Sequence, residues 1–243
     1  MYKLKKQEIK GIQKSAKVVF IEETLRFIDE GVGYAQTAHL KHKEKYTLVQ
    51  RLFSEAEDYG VELKPDYWYW IIVEFTLGED FIKNPLYKDL ITPFVYRDTN
   101  NNQVLDIDGL CEEVIEWINS DVLPLDTGIG RHLKNFEPVY ADTQDIYLKL
   151  LRLKDTKKYD TIGETQIISF LQEAQRNFAQ YNFSHKKNES YYLTLAWYLG
   201  INFLESIYYR ELKEVFISAQ DTREIQTYIN EHVAKHLEWF ESE

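Results

Sequence analysis

All five prolines of this 243-residue chain fall at or before Pro138, and after Gly130 the only glycines are Gly163 and Gly200. Proline removes a backbone donor and clashes with the preceding helical turn, while glycine costs a helix interior about 1 kcal/mol against alanine. Residues 139–243 therefore carry almost nothing that stops a helix. The predicted fold is mainly α, with irregular N-terminal helices, one short β-hairpin near 93–108 and a helical-bundle C-terminal half.

Apolar spacing places the helices. Ile167, Phe170, Leu171, Ala174, Phe178 and Tyr181 recur at three- and four-residue steps and define one face, with Thr161 and Glu164 as an expected capping box. A preceding helix is expected near Thr143–Leu153, and a long one over Glu189–Ser218. A last helix follows Asp221 and Glu224, with Ile225, Tyr228, Ile229, His232, Val233, His236, Leu237 and Phe240 along one side. Within the long helix, "SYYLTLAWYLGINFL" (Ser190–Leu204) is uncharged for 15 residues. That is short of the ~20 that span a bilayer, so it reads as a central buried helix.

The first 92 residues are more punctuated. Helices are expected over Ile12–Glu30, stopping at Gly31, over Ala38–Tyr59, stopping at Gly60, and from Pro65-Asp66 through "YWYWIIVEFTL" to Gly78. The aromatic start of the third is compatible with strand as well. A short helix is expected after Pro85 and another over Leu110–Asn119. Between the halves, Phe94–Arg97 and Gln103–Ile107 flank an Asn-rich turn, which is a hairpin signal. The chain divides at 1–92, 93–142 and 143–243, and without a Gly/Ser- or Pro-rich linker these parts are expected to share one core.

The formal charge is −11 and unevenly placed. Residues 1–17 hold six lysines against Glu8, a net of +5 that leaves −16 to the remainder. So acidic a surface repels nucleic-acid phosphates and suits docking onto a basic partner. Nucleic-acid contact is confined in this reading to a basic arm carrying Lys3, Lys5, Lys6 and Lys10. Cys111 is the only cysteine, and Met1 leads into Lys, Gln and Glu rather than an apolar run. Both features fit a cytoplasmic protein without a membrane span.

One segment spells chemistry. "DTGIG" (Asp126–Gly130) followed by "FEPVY" (Phe136–Tyr140) resembles the nucleotide boxes of histidine-kinase-type ATPases, and "DTG" resembles the catalytic triplet of aspartic proteases. The ATPase resemblance implies an Asn-bearing helix upstream and a second glycine-rich box downstream, and neither is present. The protease resemblance implies two such loops in a β-rich setting, so that two carboxylates share a proton. No nucleotide site is expected at Asp126–Gly130, which reads instead as a connection between the punctuated and the uninterrupted halves.

Other patterns are weighed the same way. Asp98, Asn100, Asn102 and Asp106 fall at positions 1, 3, 5 and 9 of a calcium loop, but Gln103 and Gly109 stand where that loop needs Gly and Glu. A hairpin tip fits better. Glu62-Leu63-Lys64 and Glu211-Leu212-Lys213 repeat the Glu-x-Lys that metal-dependent nucleases carry on a strand with an Asp upstream, but Glu211 lies in a helical pattern where those side chains are simply exposed. His39 and His42, and His232 and His236, share helical faces. Four imidazoles, with Glu231 or Glu23, offer a transition-metal or acid–base site if they converge. Tyr67, Trp68 and Trp70 offer a partner or ligand surface, since such rings bury their faces while the polar tip stays wet.

These features rank three functions. The first is an acidic intracellular binding protein acting through a protein partner, as an inhibitor, immunity-type or adaptor module. The second is a helical metal-dependent or acid–base enzyme built on the paired histidines. The third is nucleic-acid contact through the lysine-rich arm.

Overall fold

The computed structural model describes the backbone of residues 6–123, 138–139, 144–181, 183, 187–219 and 221–240, and within these the side chains of 6–15, 35, 187 and 232–240 are excluded. The fold is mainly α with one two-stranded antiparallel sheet. Helices α1 (Lys6–Glu30), α2 (Tyr34–Thr37), α3 (His42–Asp58) and α4 (Lys64–Leu77) come first. A short α5 (Lys88–Ile91) leads to the hairpin of β1 (Val95–Arg97) and β2 (Gln103–Leu105), and α6 (Ile107–Asn119) follows. The C-terminal half holds α7 (Gln144–Lys154), α8 (Thr156–Ile162), α9 (Glu164–Gln180), α10 (Lys187–Leu199), α11 (Arg210–Ser218) and α12 (Thr222–Phe240).

Local chemistry explains the N-terminal elements. In α3, Leu48, Val49, Leu52, Phe53 and Ala56 fall on one buried stripe at helical spacing. Its start is later than Ala38, because Lys41 is extended and closes a capping box with Glu44, whose Oε2 accepts from the Lys41 N–H at 3.0 Å. Pro65 stands in the first turn of α4, where its missing N–H costs nothing. Gly78 ends α4 at φ 94, ψ 164, a backbone region open to glycine alone.

The hairpin pairs Val95 with Leu105, Tyr96 with Val104 and Arg97 with Gln103. Asp98 closes its tip by accepting from the N–H of Asn100 at 2.8 Å and of Asn102 at 2.7 Å. These bonds turn the acidic side chain onto the loop's own backbone, as a turn-forming Asp does. The Leu105 N–H donates to the Tyr59 carbonyl at 3.0 Å, which fixes the hairpin against the end of α3.

Two expectations in the C-terminal half are corrected. The helix expected over Glu189–Ser218 breaks at Gly200, whose φ is +92. Turns follow to Ser206, and a 3-10 turn (Ile207–Tyr209) precedes α11. The break is held from both sides: the Tyr192 hydroxyl donates to the Ile201 carbonyl at 3.0 Å, and the Ser206 hydroxyl accepts from the Tyr208 N–H at 3.3 Å. Thr161 does not cap α9 either. It lies within α8, and Gly163 occupies the N-cap position.

The buried side chains form one contiguous cluster that runs from Phe20 on α1 to Ile229 on α12. Residues Tyr191 to Leu199 of α10 are buried without interruption, so that helix is central. The N- and C-terminal halves approach each other closely at two glycines, Gly78 and Gly200. A Cβ on Gly78 would stand 2.9 Å from the Leu199 carbonyl oxygen and 3.0 Å from Gly200 Cα. Glycine is needed at this crossing for contact as well as for φ.

Candidate functional site: an acidic cleft over a buried ion network

The site begins with one residue out of place. Glu74 interrupts the apolar run of α4, "IIVEFTL", and is 1% exposed. A buried carboxylate requires a charge partner and hydrogen bonds. Arg51, one helix away on α3, supplies both: its Nη2 donates to Glu74 Oε1 at 2.7 Å. The Tyr208 hydroxyl donates to the same oxygen at 3.3 Å. Arg51 Nη1 also takes Glu55 at 2.9 and 2.8 Å, and lies 3.3 Å from Glu79 Oε1. One guanidinium thus faces three carboxylates and a phenol.

The electrostatics follow from that crowding. Burial pushes the Glu74 carboxyl up to about 7; Arg51 pulls it down, and Glu55 and Glu79 raise it further. Burial likewise raises Glu79, against the pull of Arg51 and a hydrogen bond from Ser206. Burial and the Glu74 charge hold the Tyr208 phenol well above its ordinary value. For Arg51 burial opposes the charge, but Glu74, Tyr208, Glu79 and Glu55 outweigh it and keep the guanidinium ionised.

Glu74 also forms part of the wall of a cleft of about 320 Å³. Its carboxylates are Glu55, Asp58, Glu74 and Asp80, against Lys83 alone among the cationic lining residues. Adding Arg51 and Glu79 from the network leaves that acidic excess unchanged. Tyr59, Trp70 and Phe81 form the aromatic side. Trp70 stands between the other two, with ring centroids 5.7 Å from Tyr59 and 5.1 Å from Phe81. Asp80 takes a left-handed φ of 59 at the rim, which aspartate tolerates, and is held by Lys83 at 2.9 Å and Asn202 at 3.2 Å. Asp58 is exposed and makes no ion pair among the described residues.

The Trp70 indole is 3% exposed, and its N–H has no hydrogen-bond partner among the described residues. Trp117 on α6 shows the ordinary solution, donating at 3.0 Å to Glu113 four residues earlier. A second cleft, of about 370 Å³, lies beside Trp117, Asp89 and Glu113. Both of its carboxylates are already engaged, Glu113 with Trp117 and Asp89 with the Gln166 amide.

The residues singled out from sequence are dispersed. Of the aromatic trio, only Trp70 reaches the cleft. Tyr67 is buried against Phe20 and Phe53 and donates to Glu57 at 3.3 Å. Trp68 stacks on Phe27 at 5.3 Å and donates to Thr24 at 3.3 Å. His39 is exposed in the turn before α3, and His42 is exposed 3.8 Å from Glu22. The side chains of His232 and His236 lie outside the described residues, as do Asp126–Gly130 and the side chains of Lys3, Lys5, Lys6 and Lys10. Among the described residues no three His, Cys, Asp or Glu side chains converge as metal ligands, and no helix is long and apolar enough to cross a membrane.

Sequence reasoning missed two charged residues. For Glu74 the signal was present, as the lone carboxylate inside an apolar helix. Lys158 on α8 gave no comparable signal. It is 1% exposed, its Nζ donates to the Trp197 carbonyl, and it sits 4.5 Å from the Trp197 ring and 5.6 Å from that of Tyr87. Burial pulls its amine down to about 8, against the raising effect of Asp155. No family model, curated protein or solved structure matches this chain.

Proposed function

We propose that this chain is an acidic binding protein that docks a basic protein partner at the cleft between α3 and α4. The observation that carries the reading is the composition of that cleft: four carboxylates and one lysine around an aromatic side. Such a surface attracts cations over distance and gives their apolar stems and planar groups something to pack on. Asp58 is the natural first contact, since it is exposed and held by no ion pair among the described residues. The network beneath, from Arg51 to Glu74, holds the wall rigid, so that binding need not order it.

The test is comparative capture from native lysate with wild type and Asp58→Lys as baits. An exposed charge reversal leaves the fold intact, which circular dichroism checks. The reading expects at least one basic protein, identified by mass spectrometry, that wild type retains and Asp58→Lys loses. Identical capture by both baits removes the cleft from partner binding.

A further inference from the structure

The docking reading leaves open what enters the cleft, and the following assignment rests on it. We propose that the cleft receives one arginine side chain, presented on an extended segment of the partner whose backbone carbonyl accepts from the Trp70 N–H. Two independent observations support this. Of the four cleft carboxylates, Glu55 and Glu74 are paired with Arg51 and Asp80 with Lys83, which leaves the exposed Asp58 to take a cation. The Trp70 N–H, in an indole that lines the same cleft, has no partner among the described residues and can take an acceptor. A free metal ion satisfies only the first demand and a neutral ligand only the second. A basic residue within a peptide satisfies both.

Size and ring geometry narrow the cation. About 320 Å³ stands at the small end of ligand clefts, enough for a side chain and its flanking peptide units. Tyr59 is half-buried, lines the cleft and packs against Trp70, with ring centroids 5.7 Å apart. A guanidinium is planar and weakly hydrated, so it stacks on an aromatic face at lower desolvation cost than a lysine ammonium. Its fork also suits Asp58, which makes no ion pair among the described residues. The Trp70 N–H is shielded from bulk water, so the occupant must displace cleft-lining side chains to reach it. Leaving a buried donor unsatisfied is costly, and the carbonyl that satisfies it recovers part of that cost.

The experiment uses the full chain labelled with nitrogen-15, the Trp70 indole resonance being assigned by its loss in Trp70→Phe. Acetyl-Gly-Arg-Gly-amide is titrated in, with the lysine and citrulline peptides as controls. The arginine peptide is expected to shift the Trp70 indole signal saturably, with a Kd on the order of millimolar. The lysine peptide should bind more weakly and the citrulline peptide should leave the signal in place. Asp58→Asn, with an otherwise unchanged spectrum, should weaken the arginine peptide roughly tenfold. Equal binding of lysine or citrulline overturns the assignment, as does a Trp70 signal that stays fixed at saturating peptide. If the peptide fails while an Asp58-dependent partner is captured, the arginine assignment falls and the docking reading stands. Saturable binding without such a partner supports the arginine site and removes the docking reading.

Discussion

Arg51 Nη2 on α3 stands 2.7 Å from Glu74 Oε1 on α4, and the glutamate so held is 1% exposed. The pair ties two helices across a low-dielectric gap. It is supported unequally, because Arg51 serves Glu55 and Glu79 as well, while among the described residues Glu74 has only Arg51 and Tyr208 as hydrogen-bond donors. Removing the arginine strands three carboxylates, whereas removing Glu74 leaves the arginine still paired.

Arg51→Met should therefore be the costlier change, destabilising the chain by about 3 kcal/mol in urea denaturation. Glu74→Gln should cost little or nothing at neutral pH, since it leaves the arginine paired with Glu55 and Glu79 and removes a charge that burial disfavours. Arg51→Met combined with Glu74→Leu should recover part of the loss, because the most deeply buried charge then has no stranded form. A double variant no more stable than Arg51→Met alone shows that the pair does not act as a unit.

Glu74 also sets a pH dependence. Its carboxyl is raised to about 7 in the fold, against 4.5 without the fold around it. Below the lower value both states hold the proton. Between the two the folded state holds it and the unfolded state has lost it, so the contribution to stability falls as pH rises through this window. The difference corresponds to about 3 kcal/mol for this group. Denaturation midpoints of wild type and Glu74→Gln, followed across this window, should diverge with rising pH, the wild type losing more.

How much of this was legible in the sequence depends on how local each cause is. The spacing of Leu48, Val49, Leu52 and Phe53 determines the buried face of α3 by itself, and Pro65 and Gly78 mark the limits of α4. The hairpin was legible because Asp98 and the asparagines bond their own turn. His39 was misplaced on α3 because the Lys41–Glu44 cap starts the helix only after it. The end of α10 at Gly200 was not legible, since a single glycine inside an apolar run is tolerated in many helices. What makes it a break is the close approach of Gly78, which is distant in sequence. Arg51 meeting Glu74, and Trp70 meeting Tyr59 and Phe81, likewise depend on how the helices pack.

That close approach yields its own prediction. Gly200 has φ +92, and a Cβ there would stand 3.2 Å from Gly78 Cα. Gly200→Ala should destabilise by about 1–3 kcal/mol, from backbone strain plus the displaced neighbour. Gly78→Ala should cost at least as much, since its Cβ meets backbone atoms at 2.9 and 3.0 Å. Thermal denaturation of the two variants beside Gly31→Ala, whose glycine has no left-handed φ, separates this cost from the general effect of replacing glycine.

Lys158 should show the opposite slope to Glu74. Its amine is lowered to about 8 in the fold from 10.5. Below about 8 both states carry the charge, and the desolvation cost is fully present. As pH rises from about 8 toward 10.5 the folded state releases its proton first, so stability climbs through that window. Lys158→Met replaces the buried ammonium with an apolar chain of similar length. It should flatten the climb and leave the variant at least as stable as wild type at neutral pH. A destabilised Lys158→Met would mean that contact with the Trp197 and Tyr87 rings outweighs desolvation.

The last prediction joins the network to the cleft. Glu74 lies in the wall, facing Arg51 and Glu55 from α3, Glu79 from the loop after α4, and Tyr208 from the 3-10 turn. A guanidinium bound beside it favours its ionised form, so occupancy and deprotonation are linked, and the linkage is reciprocal. The affinity of the arginine peptide should then rise severalfold from about pH 6 to about pH 8, across the range where Glu74 titrates. Binding isotherms in two buffers of different ionisation enthalpy should register proton release near neutral pH in wild type and none in Glu74→Gln. Equal proton release in that variant would assign the titration to another group and disconnect the buried network from the cleft above it.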